Sequence, residues 1–384
     1  MDIKSEASLT TFESIAMIVG HSIGTGIIAV PYLATKNNFK DVLWMIGLAY
    51  IINVILHLLI AELSLNNGGK QLVKSFEGEL FEGKFKKIFS WIMFTGYGLA
   101  IIIGVSGNIN GGAAIFNAWF GIPFHISQVL YYILAGSVVF MGMKAVGMAQ
   151  KYTVMGLFGI VAFITVLTFV NPTHSIATNP RQVNNMLALY SMVVFATSAN
   201  QAVIQSVKGL GGDAKKIRIS IFVGFGISSL LALIVTFTVL LGVEGELNQE
   251  MAYLQLGKNL GPVAMTLTAL FSLLALTTTF WSHTLSLRDV VHEQVNLNLK
   301  LCWILATLPS ILFALFGVDS FIILTRIMSG VVVLVGIMLI FAYNKSRRKA
   351  KSSPICGVFG TLPFQLLMVI STIISAVGAL IPLA

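Results

Sequence analysis

The first apolar run of the chain contains the stretch Gly20-His21-Ser22-Ile23-Gly24-Thr25-Gly26, which places three glycines within seven residues. The run extends from about Phe12 to Tyr32 and is long enough to cross a bilayer as one helix. Glycine inside a helix costs about 1 kcal/mol relative to alanine. A helix broken in hydrocarbon also leaves backbone N–H and C=O groups that lipid cannot satisfy, so such a break requires protein or a watery cavity around it.

A broken span has a chemical use, because its two ends carry opposite partial charges. The amides at the start of a half-helix attract anions, and carbonyls freed at an end attract cations. We therefore interpret the stretch as the break of a transporter helix. Close packing between helices through small residues is the alternative interpretation.

Composition identifies the class of protein. Of the 384 residues, 56% are hydrophobic and 10% are charged, whereas soluble domains carry about 25% charged residues. The chain is therefore predicted to be a polytopic membrane protein. The first apolar run lacks a basic leader and a small-residue cleavage site, so we expect it to be a retained span and not a signal peptide. The two cysteines, Cys302 and Cys356, do not indicate a disulfide framework.

Runs of about 20 apolar residues predict eleven spans. Their approximate bounds are 12–35, 42–65, 88–116, 125–143, 152–170, 184–207, 218–242, 262–287, 299–317, 320–343 and 359–382.

The basic residues predict the orientation of these spans. With a cytoplasmic N-terminus, nineteen of the 24 Lys and Arg residues lie in cytoplasmic segments, and four lie outside. This asymmetry follows the positive-inside rule, so the N-terminus is predicted inside and the C-terminus outside the cell (inner) membrane. The net charge of +9 is explained by topology and does not indicate a nucleic-acid partner.

Two connections are long enough to contain structure of their own. Residues 66–87 alternate Lys and Glu with apolar side chains, which predicts an amphipathic helix on the cytoplasmic surface. Residues 244–260 predict a partly helical external segment.

A second break is predicted in the sixth span, where Ala196-Thr197-Ser198-Ala199-Asn200 places small and polar residues at mid-membrane depth. It lies five spans after the first, and a repeat of five spans must be inverted relative to the membrane. The predicted units are residues 1–170, residues 171–345, and residues 346–384 with span 11. Inverted repeats with a site between two broken helices are typical of secondary transporters. Hydrogen bonds between helices are the alternative role of these polar residues.

Other polar residues in the spans are candidates for function. Glu62 near the end of span 2 is a candidate for proton coupling or a carboxylate that snorkels to the interface. His21 and His283 are candidate proton relays or ordinary core residues. Asn108 either faces a cavity or binds a neighbouring helix. The hydroxyls of Thr277-Thr278-Thr279 either offer oxygen ligands to a small hard cation or bond their own helix.

Motifs of soluble enzymes and nucleotide-driven pumps are missing from the sequence. Gly209-Leu210-Gly211-Gly212-Asp213 lacks the spacing of a phosphate loop, and no His/Cys cluster has the spacing of a metal site. The chain is therefore predicted not to be an enzyme and to need no cofactor, with Na⁺ as a candidate coupling ion.

The sequence resembles the amino acid/auxin permease group of the amino acid-polyamine-organocation superfamily, and the bacterial hydroxy and aromatic amino acid permeases in particular. The stretch from Gly20 to Pro31 resembles the permease signature G-x-x-[IV]-G-x-G-[ML]-[LI]-x-x-P. Glu62, the region from Leu274 to Asp289 and the stretch from Asp213 to Arg218 are similar as well. The resemblance covers essentially the whole chain and rests on the order of degenerate motifs.

This resemblance implies an all-α membrane protein of the leucine-transporter (LeuT) type, a 5+5 inverted repeat with broken spans 1 and 6. It implies a substrate site in which the amides of Thr25 and Gly26 bind a carboxylate. Carbonyls around the second break would receive the ammonium group, and span 3 would complete the pocket. The implied substrate-binding residues are Ser22, Thr25, Gly26, Asn108, Phe195, Ala196 and Ser198.

The resemblance also implies a cation site between spans 1 and 8. The implied ligands are carbonyls of Gly20, Ile23 and Ala275 and hydroxyls of Thr278 and Thr279. The lysine that some proton-coupled relatives place within span 5 is missing, since Lys151 lies at the edge of that span. This favours Na⁺, although similar bacterial permeases are generally proton-driven, and the coupling ion stays open.

The sequence thus predicts import of an amino acid, hydrophobic or aromatic, by symport with Na⁺ or H⁺ through alternating access. The predicted partners are that substrate, the coupling cation and the lipid bilayer. The alternative is a membrane sensor that binds an amino acid in the same pocket without turnover. Accumulation against a gradient distinguishes the two.

Overall fold

The regular elements of this computed structural model are helices. The structure describes residues 8–170, 172, 181–243, 252–316, 321–350 and 355–383, without the side chains of Thr25 and of residues 321–334. The helices are α1 (Thr11–Ser22), α2 (Thr25–Thr35), α3 (Phe39–Asn66), α4 (Leu72–Leu80), α5 (Lys86–Phe120), α6 (Phe124–Phe140), α7 (Met143–Val170), α8 (Val183–Ala196), α9 (Asn200–Gly209), α10 (Ala214–Gly242), α11 (Ala252–Leu260), α12 (Pro262–Val295), α13 (Leu299–Phe316), α14 (Phe321–Lys349) and α15 (Leu362–Leu380).

Each of the eleven predicted spans corresponds to a helix or to a pair of helices. The pair α1–α2 forms the first span and the pair α8–α9 forms the sixth. Within the described residues, eight segments are long and apolar enough to cross a membrane, and the bent α1–α2 pair makes a ninth. Helix α6 is a shorter apolar helix of 17 residues. The chain is a multi-pass membrane protein, as predicted.

The bundle is apolar both inside and outside, as expected where lipid replaces water as the solvent. Phe225 and Phe280 are fully buried between helices. Ile133, Leu134 and Phe341 are mostly exposed on the outer surface, where a soluble protein would carry charges. Helix α12 contacts α1, α5, α7 and α13, so it lies at the centre of the bundle.

The starts of α1 and α7 and the ends of α9 and α12 lie on one side of the bundle, which we call the basic face. Lys144 at the start of α7 donates to Glu13 of α1 at 2.8 Å. Lys208 of α9 lies 3.9 Å from Asp289 of α12. The face contains several of the basic segments that predicted the cytoplasmic side.

The predicted amphipathic helix over 66–87 is shorter in the structure. Helix α4 covers only Leu72–Leu80 and packs on α5 and α14. Gly68, Gly69 and Gly83 have φ angles of 72°, 79° and 69°, so the backbone turns before and after the helix. Of the predicted external segment 244–260, Ala252–Leu260 is helical, and residues 244–251 lie outside the described residues.

Substitution of Gly112 tests the packing of α5 against α6. A Cβ atom at Gly112 would overlap the ring of Tyr131, which is 2% exposed and cannot swing away. We expect Gly112→Ala to destabilise the protein by about 1–3 kcal/mol, the usual cost of overpacking. Thermal unfolding of the purified protein measures the effect. The matched control is Gly156→Ala, where a Cβ meets nothing within 4 Å. Equal melting temperatures for the two variants would contradict the packing.

Candidate functional site

The first span is broken at the predicted glycines. Helix α1 ends at Ser22 and α2 begins at Thr25, and the axes of the two halves differ by 50°. Gly24 occupies the N-cap of α2 and has no side chain with which to cap the first amides. The N–H groups of Thr25 and Gly26 therefore lie at an uncapped helix N-terminus, which favours a negatively charged group such as a carboxylate.

The second break lies at the predicted position in the sixth span. Helix α8 ends at Ala196 and α9 begins at Asn200, with residues 197–199 between them outside either helix. The amide of Ser198 donates to the carbonyl of Phe195 at 3.1 Å and closes a tight turn. The carbonyl end of α8 carries the negative end of its helix dipole, which favours a cation or an ammonium group.

The two breaks lie directly against each other. A Cβ atom at Gly26 would lie 2.5 Å from Cα of Ala196, so only glycine fits there. The positive end of α2 and the negative end of α8 thus meet in the interior of the bundle. This arrangement suits a small zwitterion, whose two charges need partners of opposite sign within a few ångströms.

Helix α3 fixes the second break through two side chains. Asn53 donates to the carbonyl of Val194 at 3.1 Å and to the hydroxyl of Thr197 at 2.9 Å. The amide of Ala199, the N-cap of α9, donates to Nε2 of His57 at 3.0 Å. Nδ1 of His57 lies 2.6 Å from the carbonyl of Asn53 and must carry the proton, since a carbonyl only accepts. His57 is thereby held as a neutral imidazole in one tautomer.

The predicted cation residues on α12 form a buried cluster of oxygen atoms. The hydroxyls of Thr278 and Thr279 donate to the carbonyl of Ala275 at 2.9 and 3.1 Å. Thr279 also donates to the carbonyl of His21 on α1 at 3.3 Å. The hydroxyls therefore bond their own helix, and one of them also reaches the first break. Neutral oxygens in this arrangement suit a small hard cation.

The remaining two predicted cation residues lie beside this cluster. A Cβ at Gly20 would lie 3.1 Å from Cβ of Thr278, so α1 and α12 touch at this level. Ile23 follows α1 directly at the break and is fully buried. No group of three or more His, Cys, Asp or Glu residues suited to a metal ion occurs in the described part of the chain. Because its hydroxyl and carbonyl oxygens are neutral, the cluster is a candidate for an alkali cation.

His21 and His283 form a pair next to the break. Their rings are 4.8 Å apart in an edge-to-face arrangement, and His283 lies against Gly104 of α5. Neither Nδ1 atom has a hydrogen-bond partner among the described residues. Asn108 lies one helical turn farther along the same side of α5, is 2% exposed, and has an unpartnered Nδ2 within the same described set. These atoms give the region next to the breaks free hydrogen-bonding capacity.

The other residues predicted for the substrate site lie at the breaks as well. The hydroxyl of Ser22 is buried and donates to the carbonyl of Ile18 at 2.9 Å, within its own helix. Phe195 is 36% exposed at the end of α8, and Ser198 is half-buried. The side chain of Thr25 lies outside the described residues.

Glu62 lies apart from the breaks. It follows His57 by five residues, about 7.5 Å along α3. The carboxylate is fully buried and accepts the amides of Ile355 and Cys356 at 3.2 and 2.7 Å. Glu62 thus joins α3 to the segment that precedes α15. Because Glu62 is buried, it does not snorkel to an aqueous surface in this structure. Its role in proton coupling stays a prediction.

Sequence reasoning assigned no role to three residues of this region. The pair Asn53 and His57 could have been found, because two polar residues four apart share one face of an otherwise apolar span. Gln150 of α7 also contacts the cation cluster, with its side chain against Gly20 and Thr278. It stands among polar residues at the start of its span and gives no comparable signal.

Comparisons with known proteins identify the fold. No protein-family model matches the chain. No curated protein matches it either.

Several solved structures of transporters are similar across nearly the whole chain. One is Mhp1, a nucleobase-cation-symport-1 family transporter in a closed conformation with bromovinylhydantoin bound, at 16% identity and a TM-score of 0.71. The match covers 97% of this chain and 91% of Mhp1. MhsT in complex with L-phenylalanine is 15% identical with a TM-score of 0.69, covering 97% of this chain and 99% of MhsT.

A Na⁺-coupled sialic acid symporter in a substrate-bound outward-open state is also similar. It is 14% identical with a TM-score of 0.61, and the match covers 98% of this chain and 91% of the symporter. These similarities confirm the predicted leucine-transporter type of fold.

Substitution of Gly26 tests the contact between the two breaks. We expect Gly26→Val to remove ligand binding, since its side chain would collide with the backbone of Ala196 and separate α2 from α8. Gly96→Val is the control, because a Cβ there meets nothing within 4 Å. Size-exclusion chromatography first confirms that each variant is folded. Binding of candidate ligands to the purified protein then tests the contact. Unchanged binding by folded Gly26→Val protein would exclude a site between the breaks.

Substitution of His57 tests whether α3 supports the second break. His57→Leu would leave the amide of Ala199 without its acceptor, at a cost of about 1–3 kcal/mol for a buried donor. We expect a melting temperature several degrees lower. The control His125→Leu changes an exposed histidine and should lower the melting temperature much less. Similar shifts for the two variants would contradict the role of His57.

Proposed function

We propose that the chain is a secondary active transporter that imports an amino acid by symport with a cation through alternating access. The observation that carries the proposal is the contact of Gly26 in the first break with Ala196 in the second. Two opposed helix ends buried in a membrane bundle satisfy the carboxylate and the ammonium of one small molecule. The resemblance of the sequence to amino acid/auxin permeases supports the same substrate class.

The substrate proposed within this class is a hydrophobic or aromatic amino acid. The exposed ring of Phe195 at the end of α8 offers an apolar contact for its side chain. The unpartnered atoms of His21, His283 and Asn108 offer hydrogen bonds to a hydroxyl or an indole N–H. These groups together favour an aromatic side chain that carries a polar atom. The similar structure of MhsT contains L-phenylalanine, which supports an aromatic substrate.

The coupling ion proposed first is Na⁺, held by oxygens of Thr278, Thr279, Ala275 and the end of α1. The hydroxyl of Thr279 is the direct link between the helices at this level, because it bonds the carbonyl of His21. Coupling to H⁺ through His21, His283 or Glu62 is the second candidate. The lack of a partner for Nδ1 of both histidines in the described residues favours the histidine pair over Glu62.

Uptake into proteoliposomes tests the proposal. A mixture of radiolabelled amino acids would be offered under an imposed Na⁺ gradient and, separately, under a pH gradient. We expect accumulation above the external concentration under the Na⁺ gradient. Accumulation under the pH gradient alone would identify H⁺ as the ion. Binding without accumulation under either gradient would overturn transport and favour an amino-acid sensor of the same fold.

Substitution of Thr279 tests the proposed cation site. Thr279→Ala removes one oxygen ligand, and a contact between a charge and a polar group contributes about 1.5–3 kcal/mol. We therefore expect the Na⁺ concentration for half-maximal uptake to rise about tenfold or more. Thr279→Ser keeps the hydroxyl and should restore coupling. Thr284→Ala is the matched control, because Thr284 is fully buried on the same helix and its hydroxyl bonds carbonyls of α12 itself. An unchanged Na⁺ dependence in Thr279→Ala would exclude the site.

A further inference from the structure

Gln150 of α7 is an uncharged side chain held in an exact position beside the oxygen cluster of α12. It is fully buried. Its Nε2 atom donates to the carbonyl of Thr278 at 3.0 Å and to the hydroxyl of Ser282 at 2.9 Å. Both hydrogens of the amide are therefore used, and the plane of the amide is fixed by two bonds to one helix.

These bonds also determine where the amide oxygen points. The carbonyl of Thr278 can only accept, so the nitrogen of Gln150 must face it and the oxygen must face away. Oε1 lies 3.1 Å from the position that a Cβ of Gly20 would occupy, and Cβ of Thr278 lies 3.1 Å from the same point. Oε1 has no hydrogen-bond partner among the described residues. A fully buried amide oxygen is thus aimed at the contact between α1 and α12 without a partner.

The basic side chain next in sequence does not supply the missing partner. The ammonium of Lys151 lies 5.8 Å from the ring centre of Phe12 and 5.2 Å from that of Tyr152. The oxygens of the cluster, on Ala275, Thr278, Thr279 and His21, are hydroxyls and carbonyls, and both threonine hydroxyls donate to carbonyls of the cluster itself. A buried amide oxygen that accepts no hydrogen bond among the described residues is the kind of ligand that a small hard cation takes.

We propose that Oε1 of Gln150 is a ligand of the coupling Na⁺, contributed by a third helix to the site between α1 and α12. This inference rests on the proposed function and extends it. With Gln150 as a ligand, the ion joins α7 to α1 as well as α12 to α1. The amide oxygen also favours Na⁺ over H⁺ as the bound ion, because an amide is not protonated near neutral pH.

The experiment is a Na⁺ titration of thermal stability with purified full-length protein and no amino acid present. Choline replaces Na⁺ at constant ionic strength. A ligand that binds only the folded state raises the melting temperature in proportion to its binding. The half-maximal Na⁺ concentration of this shift reports affinity for the ion, and the melting temperature without Na⁺ reports folding separately.

Three variants separate the ligand role from a packing role. Gln150→Met keeps the length of the side chain and removes its oxygen, and we expect the half-maximal Na⁺ concentration to rise at least tenfold. Gln150→Glu keeps an oxygen, and we expect its affinity for Na⁺ to exceed that of Gln150→Met and to increase with pH as the carboxyl ionises. Gln128→Met is the matched control: Gln128 is also fully buried, and its Nε2 donates to Asn110 and Ala314, away from the cluster. We expect this control to melt at a lower temperature with an unchanged Na⁺ midpoint.

The outcomes distinguish this inference from the proposed function. An unchanged midpoint in Gln150→Met would overturn the ligand role and leave sodium coupling intact. Equal losses in Gln150→Met and Gln150→Glu would assign Gln150 to the positioning of Thr278 and overturn the ligand role too. A wild-type protein that does not respond to Na⁺ would overturn the inference, while uptake under a pH gradient would preserve the transporter. If Gln150→Met does not fold, the pH dependence of Na⁺ binding by Gln150→Glu decides, and a flat dependence would overturn the ligand role.

Discussion

The structure depends on one constraint, that a helix broken inside a membrane must satisfy its freed backbone groups with protein or with water in a cavity. Lipid offers no hydrogen bonds, so a break is stable only where it is shielded from lipid. Here the surroundings of the second break are provided by α3, whose Asn53 and His57 bind the groups of residues 194–199. The first break is enclosed by α8 on one side, through Gly26, and by α12 on the other, through Thr279.

The same constraint explains the distribution of polar residues. Asn53 and His57 of α3 bond backbone groups at the second break, and Thr279 of α12 bonds the carbonyl of His21 at the first. Some of the groups remain without a partner in the described residues, among them Nδ1 of His21, Nδ1 of His283 and Oε1 of Gln150. Unpartnered buried polar atoms are rare in proteins because they are costly. Those of His21, His283 and Gln150 lie close to the first break, where an amino acid and a cation would satisfy them in the proposed function.

Much of the fold could be predicted from the sequence, because its main determinants are local. Apolar length predicted the spans, and the glycines of residues 20–26 predicted the first break. The small polar block of residues 196–200 predicted the second. The limits of α4 were harder to predict, since the turns at Gly68, Gly69 and Gly83 shorten an amphipathic pattern that continues beyond them. The contacts of Gln150 and Glu62 could not be predicted, because they join positions more than a hundred residues apart.

The position of α1 explains how a cation could be coupled to alternating access in the proposed cycle. At the basic face α1 is held by the ion pair of Glu13 with Lys144, in which Lys144 is about half exposed and Glu13 is buried. At the break, the hydroxyl of Thr279 links it to α12 by a hydrogen bond to the carbonyl of His21. A cation shared by carbonyls of α1 and oxygens of α12 would add a stronger link than this neutral hydrogen bond. Loss of the ion would remove that link near the break, where the backbone is already interrupted. Movement of α1 would then open the substrate site toward the basic face, so that the ion and the substrate leave on the same side.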